Sequence, residues 1–353
     1  METHTTIPPN PRSPLPTTSS PVALSAWLGA LLLSALSSTI CSGAEPGQAL
    51  PAPRPLTAIE SPRETDGRSV AGPAFGVTIP GQQRSSGWRT LRRGAIAYTV
   101  PESMLASPEE LLVRVDLEFQ AALREITALL AHSPREVKVL VDPYTQRQQP
   151  GSYNARFDTI TVSARWFNHD RPSPEFQLSR DQLRQLTSHV VRHELAHLVL
   201  AHKVGLEEYQ RGESAVPLWI LEGFAEWASG GAKNACRSGR EVKAFFQNGV
   251  FDGRELERAM LMTGTYKDPA SNHKAYVQAY FMAKYLIERF PNPKEGVAAF
   301  FDLVGQLVRS RTSLAEALAR HGLTVEQFVR GWRTLIDRDV LEPDEPLLAR
   351  TNF

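Results

Sequence analysis

Hydrophobic and polar positions recur with recognisable periods only from about Trp88 onward. "GAIAYTV" (94–100) reads as a strand, and "EVKVLVD" (136–142) alternates with the period of two that a half-buried strand shows. "ARFDTITVS" (155–163) is a second alternating run, equally readable as an interior strand or as an edge strand able to pair with an extended peptide. Between the first two, Pro108 opens a long amphipathic helix over about 108–132, with Leu112, Val115, Phe119, Ala122, Ile126 and Leu130 at helical spacing. After residue 163 the period is helical to about residue 340, punctuated by turn signals at Gly230-Gly231, Pro291 and Gly322. Strands first and helices afterwards predict an α+β fold, a small N-terminal mixed sheet beside a helical C-terminal lobe. No internal repeat breaks this order.

The region before Trp88 has a different texture. It holds half of the chain's 26 prolines and is rich in Ser, Thr and Gly. Such a segment buries too little apolar surface to offset its ordering entropy, so residues 45–87 read as a disordered linker. The exception is "VALSAWLGALLLSALSSTI" (22–40), followed by Ser42-Gly43-Ala44. An apolar stretch ending in small residues reads as a secretory signal cleaved after Ala44. It is also long enough to act as an uncleaved membrane anchor, though its serines and threonine dilute it, and its leader is long with Arg12 as its one Lys or Arg. A spurious leader is the third alternative. Signal and anchor alike place the folded part outside the cytoplasm, periplasmic or extracellular. Cys41 lacks a lipoprotein box, because bulky Ile40 precedes it, and cleavage leaves only Cys236, so the fold is held by its core rather than by an intrachain disulfide. Residues 88–341 then form the one folded domain and 342–353 a tail. The net charge of +1 over 353 residues, without a Lys/Arg-rich run, gives no electrostatic footprint for nucleic acid.

The chemistry concentrates in "VVRHELAHLVLAH" (190–202). Ser179 with Gln182 forms a plausible capping box for its helix, and Lys203 with Gly205 a cationic last turn and a stop. Leu183, Leu186, Val190, His193 and His197 fall on one stripe, so the two histidines continue the inward face. They lie one turn apart and can reach a common point, with Glu194 about 100° around the helix on its flank. H-E-x-x-H is the zincin signature, in which two neutral imidazoles hold Zn²⁺ and the glutamate takes a proton from the attacking water. The bland alternative is a pair of satisfied core histidines. His202 follows His197 by five positions, about 140° away if the helix continues, and reads as a solvated helix-end histidine rather than a ligand.

A third ligand is needed for such a site, and "PLWILEGFAEWASGG" (217–231) offers Glu222 in a largely apolar segment that starts with a helix-opening proline and ends in a glycine pair. A buried carboxylate requires a partner, and a zinc ion is one that fits. Glu226, one turn further, is placed to accept a hydrogen bond from a ligating imidazole. Their alternatives are a partly exposed or ion-paired glutamate.

"HELAH" followed by "WILEGFAEW" resembles the gluzincin metallopeptidases, which include thermolysin and the zinc aminopeptidases, and in particular the peptidase MA-like family of bacterial envelope proteins. The resemblance spans about 94–340 and is strongest at 190–230. It implies a zincin-like fold, Zn²⁺ as cofactor, His193, His197 and Glu222 as ligands, and Glu194 as general base. It also implies Glu226 in support behind a ligand. "YVQAYFMAKYL" (276–286) is similar to the aminopeptidase helix whose tyrosine steadies the oxyanion, which implies Tyr276 for that role, with His273 and Tyr280 as lesser candidates. Against this stands an aromatic core stripe at helical spacing. One departure counts: no segment matches the G-x-M-E-N motif that anchors a substrate's free amine in aminopeptidases. The expectation is therefore an exported zinc peptidase acting on peptides or proteins, endopeptidase rather than exopeptidase. Residues 22–40 supply its tether if uncleaved. Its rival is a non-catalytic envelope protein that keeps the fold as a binding or scaffolding module.

Overall fold

The computed structural model describes residues 87–102, 109–143, 150–167, 179–230 and 239–341. The apolar run 22–40, the Pro-rich stretch after it, Cys236 and the tail 342–353 lie outside those ranges.

Five strands form one mixed sheet in the order β1-β2-β3-β5-β4. β1 (Trp88–Arg93) pairs antiparallel with β2 (Ile96–Pro101), which runs parallel to β3 (Val137–Asp142). Parallel pairing requires a crossover, and α1 (Glu109–Leu130) supplies it, burying Val115, Phe119, Ala122 and Ile126. β3 is parallel to β5 (Thr159–Ser163), and β4 (Gly151–Asn154) closes the edge antiparallel to β5.

Two expectations change here. The run 155–163 is a strand only from Thr159, because Ala155–Phe157 make a 3₁₀ turn held by the Asn154 side chain, which accepts from the Phe157 N–H at 3.3 Å. Asp158 then reverses the chain in the left-handed region, φ 50°, a conformation Asp tolerates better than most residues. β5 pairs with β3 on one side and β4 on the other, so of the two alternatives for this run the interior strand holds, and β4 is the edge strand on that side.

α2 (Arg180–Val204) starts at the Ser179–Gln182 capping box, where both reciprocal bonds are present at 3.2 and 2.9 Å. It crosses the middle of the molecule and stays buried from His189 to Ala201 at almost every position. Beyond it lie α3 (Leu206–Gly212), α4 (Leu218–Ser229), α5 (Gly239–Phe246), α6 (Gly253–Met260), α7 (Pro269–Glu288), α8 (Pro293–Ser310), α9 (Leu314–Arg320) and α10 (Val325–Leu341). α4 begins one residue later than the proline implied, with Pro217 as its N-cap, and ends at Gly230 in the left-handed region, φ 72°. Its two glutamates and its last residue, Ser229, aside, α4 is apolar all round, the signature of a helix buried on every side. Phe224 stacks on Phe300 of α8 with ring centres 4.9 Å apart, and Trp219 stacks on Phe328 of α10 at 5.6 Å.

Two glycines let elements meet closely. A Cβ at Gly223 would lie 2.3 Å from the Ala279 carbonyl oxygen, so α4 and α7 touch backbone to backbone there. A Cβ at Gly151 would come within 2.7 Å of Val190 Cγ1 and 3.4 Å of Glu194 Cγ, which sets β4 against α2. Among the described residues no helix is long and apolar enough to cross a membrane.

Candidate metal centre

Where α2, α4, α7 and β4 converge they enclose a cleft of about 220 Å³. His193 and His197 are on α2 and point the same way because four residues make one turn; their rings pack edge to face, centres 4.9 Å apart. Glu222 enters from α4. His193 Nε2 lies 3.2 Å from His197 Nε2 and 3.2 Å from Glu222 Oε2, and His197 Nε2 lies 3.8 Å from Glu222 Oε1. These three donors form a compact set capable of holding a metal ion. Donors bound to Zn²⁺ at about 2.0–2.1 Å in tetrahedral geometry sit roughly 3.3 Å apart, so the observed spacings suit such an ion. The chemistry agrees: two ring nitrogens and a carboxylate aimed at one point in a buried place need a shared cation or proton. The residues fit a zinc-type metal.

Each ligand candidate has support behind it. His193 Nδ1 is 3.1 Å from Glu226 Oε1, so Glu226 can take that N–H and leave Nε2 free to face the cleft. His189, one turn earlier on α2, brings its Nε2 to 3.6 Å from the same oxygen. His189, His193 and Glu226 also form a metal-capable trio, but His189 and Glu226 do not line the cleft, and His193 offers that trio its other nitrogen. Burial pushes both carboxyls up, yet their imidazole partners outweigh it. The histidine bonds bring Glu226 down to about 2 and hold Glu222 well below the usual carboxylate range. Burial pulls His193 down, and the bonds from Glu222 and Glu226 reverse this and raise it above the usual imidazole range.

Glu194 lines the same cleft from α2. Burial raises its carboxyl above the usual carboxylate range, the two imidazoles draw it partly back, and Glu222 raises it again. Its Oε2 accepts the Tyr153 backbone N–H at 2.6 Å, a contact across 41 residues of chain that side-chain patterning had not flagged.

Tyr276 lines the cleft and donates its phenol to Glu222, and burial together with the surrounding glutamates holds that phenol protonated. His273 and Tyr280 do not line it. His273 packs edge-on against Phe245 and Tyr280 against Phe281, both within the helical lobe. His202 is not a solvated bystander: α2 runs on through Val204 and turns it away from the other histidines, but its Nε2–H donates to Asp158 at 2.8 Å and only 17% of its side chain is exposed. Further residues emerge from the geometry alone. Tyr209 of α3 and Glu213 after it line the cleft, with the Tyr209 phenol donating to Glu213, whose carboxyl is raised by burial.

A small mixed sheet packed beside a helical lobe, with two histidines of its central helix facing a glutamate of α4, defines an α+β zincin-like protein. Residues 179–338 match the family model of the Peptidase MA superfamily, which supports a peptidase-like function and is typical of metal-dependent proteins. The match starts at the N-cap of α2 and ends within α10, so it contains the helical lobe and leaves the sheet outside. No curated protein matches the chain.

Proposed function

We propose that the chain is an exported zinc peptidase of the gluzincin type, cutting peptide bonds within chains. The observation that carries this reading is the convergence of His193, His197 and Glu222 in a cleft that Glu194 also lines. These three residues would hold the metal. When bound, Zn²⁺ supplies Lewis acidity, polarising a scissile carbonyl and making water acidic enough to attack at neutral pH.

The chain's own groups do the rest. Glu194 takes a proton from the attacking water as its oxygen bonds to the carbonyl carbon. When the C–N bond breaks, Glu194 returns that proton to the leaving amine nitrogen. Tyr276 offers an O–H donor in the same cleft for charge developing on the carbonyl oxygen. Glu226 keeps His193 in one tautomer. β4 is an edge strand among the described residues, and Gly151, Ser152 and Tyr153 line the cleft, so an extended peptide can add to it as a further strand. The absence of a G-x-M-E-N counterpart favours internal cleavage. Export rests on the apolar run 22–40 with its small residues before Ala44, which also serves as a tether where it is retained.

The test is zinc content of the purified protein, by elemental analysis, read beside cleavage of a mixed peptide library mapped by mass spectrometry. Glu194→Gln should keep zinc and lose turnover; His197→Ala should lose the metal. Cleavage by the Gln variant at the native rate would sink the assignment. Zinc without turnover of any peptide would move the reading to the scaffolding alternative, and removal of terminal residues alone would replace endopeptidase by exopeptidase.

A further inference from the structure

The carboxylate read above as the general base is tied to the sheet in a way its own helix does not require. Glu194 Oε2 accepts the Tyr153 N–H at 2.6 Å. The Tyr153 phenol, at the other end of the same residue, donates to Asp158 Oδ1 at 3.2 Å. That oxygen also accepts from His202 Nε2 at 2.8 Å, and His202 is on α2, the helix that carries Glu194 two turns earlier. The path is therefore closed: α2 to β4 through Glu194, and β4 back to α2 through Asp158 and His202. Lys138 of β3 adds a weak contact, 4.0 Å from the second Asp158 oxygen. Asp158 and His202 are largely shielded, their side chains 13% and 17% exposed, so water competes little for the hydrogen bond between them.

From this geometry we infer that Asp158 and His202 are positioning residues for Glu194, acting through Tyr153. The inference rests on the peptidase reading for its kinetic consequence and on the structure alone for the clamp itself. The Tyr153 N–H fixes one carboxylate oxygen, which leaves the other with a set direction into the cleft. An N–H reports only as accurately as its strand is held, and β4 is four residues long at the sheet's edge. Anchoring the phenol of the same residue removes the rotation that would swing the N–H away. Gly151 completes the fit, since any side chain there would strike Val190 and push β4 off the helix. Asp158 sits in the left-handed turn, φ 50°, with its carboxylate on the tyrosine of β4. Neither Asp158 nor His202 lines the cleft, so their removal touches no substrate directly.

The experiment uses the full chain and three variants. Asp158→Gly removes the carboxylate while keeping the left-handed turn at no steric cost. Asp158→Asn restores an acceptor oxygen, and His202→Gln removes the imidazole. Two readouts are taken: hydrogen exchange at the Tyr153 amide by mass spectrometry, with and without zinc, and peptide turnover with kcat and KM separated. Faster exchange at Tyr153 is expected in Asp158→Gly and His202→Gln, with zinc content unchanged and partial rescue in Asp158→Asn. Turnover should fall about tenfold in kcat with KM within about twofold, the pattern of a misplaced catalytic group. Unchanged Tyr153 exchange in both Asp158→Gly and His202→Gln overturns the clamp. Faster exchange with unaltered kcat overturns its catalytic role. If the wild-type protein hydrolyses nothing, the peptidase reading fails and the exchange data still decide the clamp. Should Asp158→Gly not fold, His202→Gln decides alone.

Discussion

Glu226 and His273 show how differently two buried polar side chains act. Glu226 is 5% exposed and shares one oxygen between His193 and His189; on the zinc reading it would fix which nitrogen of His193 faces the metal. Glu226→Gln keeps the volume and removes the negative charge; zinc affinity should fall by about 10–100-fold, measured by competition with a chelating dye. An unaltered affinity would show that Glu226 merely fills space. His273 has its Nε2 buried with no hydrogen-bond partner among the described residues, and burial lowers its imidazole to about 4 from 6.5 despite the pull of Glu226. The folded state therefore refuses a proton that the unfolded chain accepts between these values. Unfolding takes up that proton, so the folded state loses stability as pH falls from 6.5 towards 4, by about 3 kcal/mol for this group at most. His273→Gln should flatten that part of the stability-against-pH curve in denaturant titrations at pH 7 and pH 4. Equal slopes for the two proteins would exclude it.

Elements were legible where one physical signal dominated. α1 and α2 announced themselves by long helical stripes, and the capping box at Ser179 and Gln182 marks where α2 begins. α4 was readable because a glutamate within an apolar helix demands a reason. β1 and β4 were not, since β1 exposes most of its side chains and all four residues of β4 are half-buried, so neither alternates. The same cause hid part of the site. His193, His197 and Glu222 converge by helix geometry that spacing encodes, whereas Tyr153 contributes a backbone N–H and His202 meets Asp158 across 44 residues, neither of which leaves a local pattern. Gly223 leaves no local pattern either; its reason is a helix contact. α4 and α7 approach so closely at Gly223 and Ala279 that a methyl group would meet a carbonyl oxygen at 2.3 Å, and Tyr276, one turn before Ala279, bonds Glu222 at that approach. Gly223→Ala should cost about 1–3 kcal/mol through overpacking and reduce zinc affinity with it, since Glu222 moves with the helix. Thermal unfolding and dye competition check both effects. A stable variant with native zinc affinity would mean that α7 yields without disturbing the site.

At the scale of the whole molecule, the cleft is a joint product of two parts. The helical lobe brings the His-His-Glu set and Tyr276, while the sheet brings Gly151, Ser152 and Tyr153 of β4. The three candidate ligands sit on two separate helices, α2 and α4, so an ion bound by both would tie them in the folded state and would have no comparable site in the unfolded chain. Such linkage stabilises by RT ln(1 + [L]/Kd), about 2.7 kcal/mol at a free zinc concentration 100 times Kd. For a folded region of this size each kcal/mol shifts Tm by roughly 2–4 °C. Stripping the protein with a chelator should therefore lower Tm by roughly 5–10 °C, and zinc should restore it in a concentration-dependent way. His197→Ala should unfold at one temperature whether zinc is present or not, because the set is left with His193 and Glu222 alone. That control separates binding at this site from zinc adhering to exposed carboxylates, which would shift wild type and variant alike. A wild-type Tm indifferent to zinc would mean that the three side chains share protons rather than a metal, and the peptidase reading would fall with the ion.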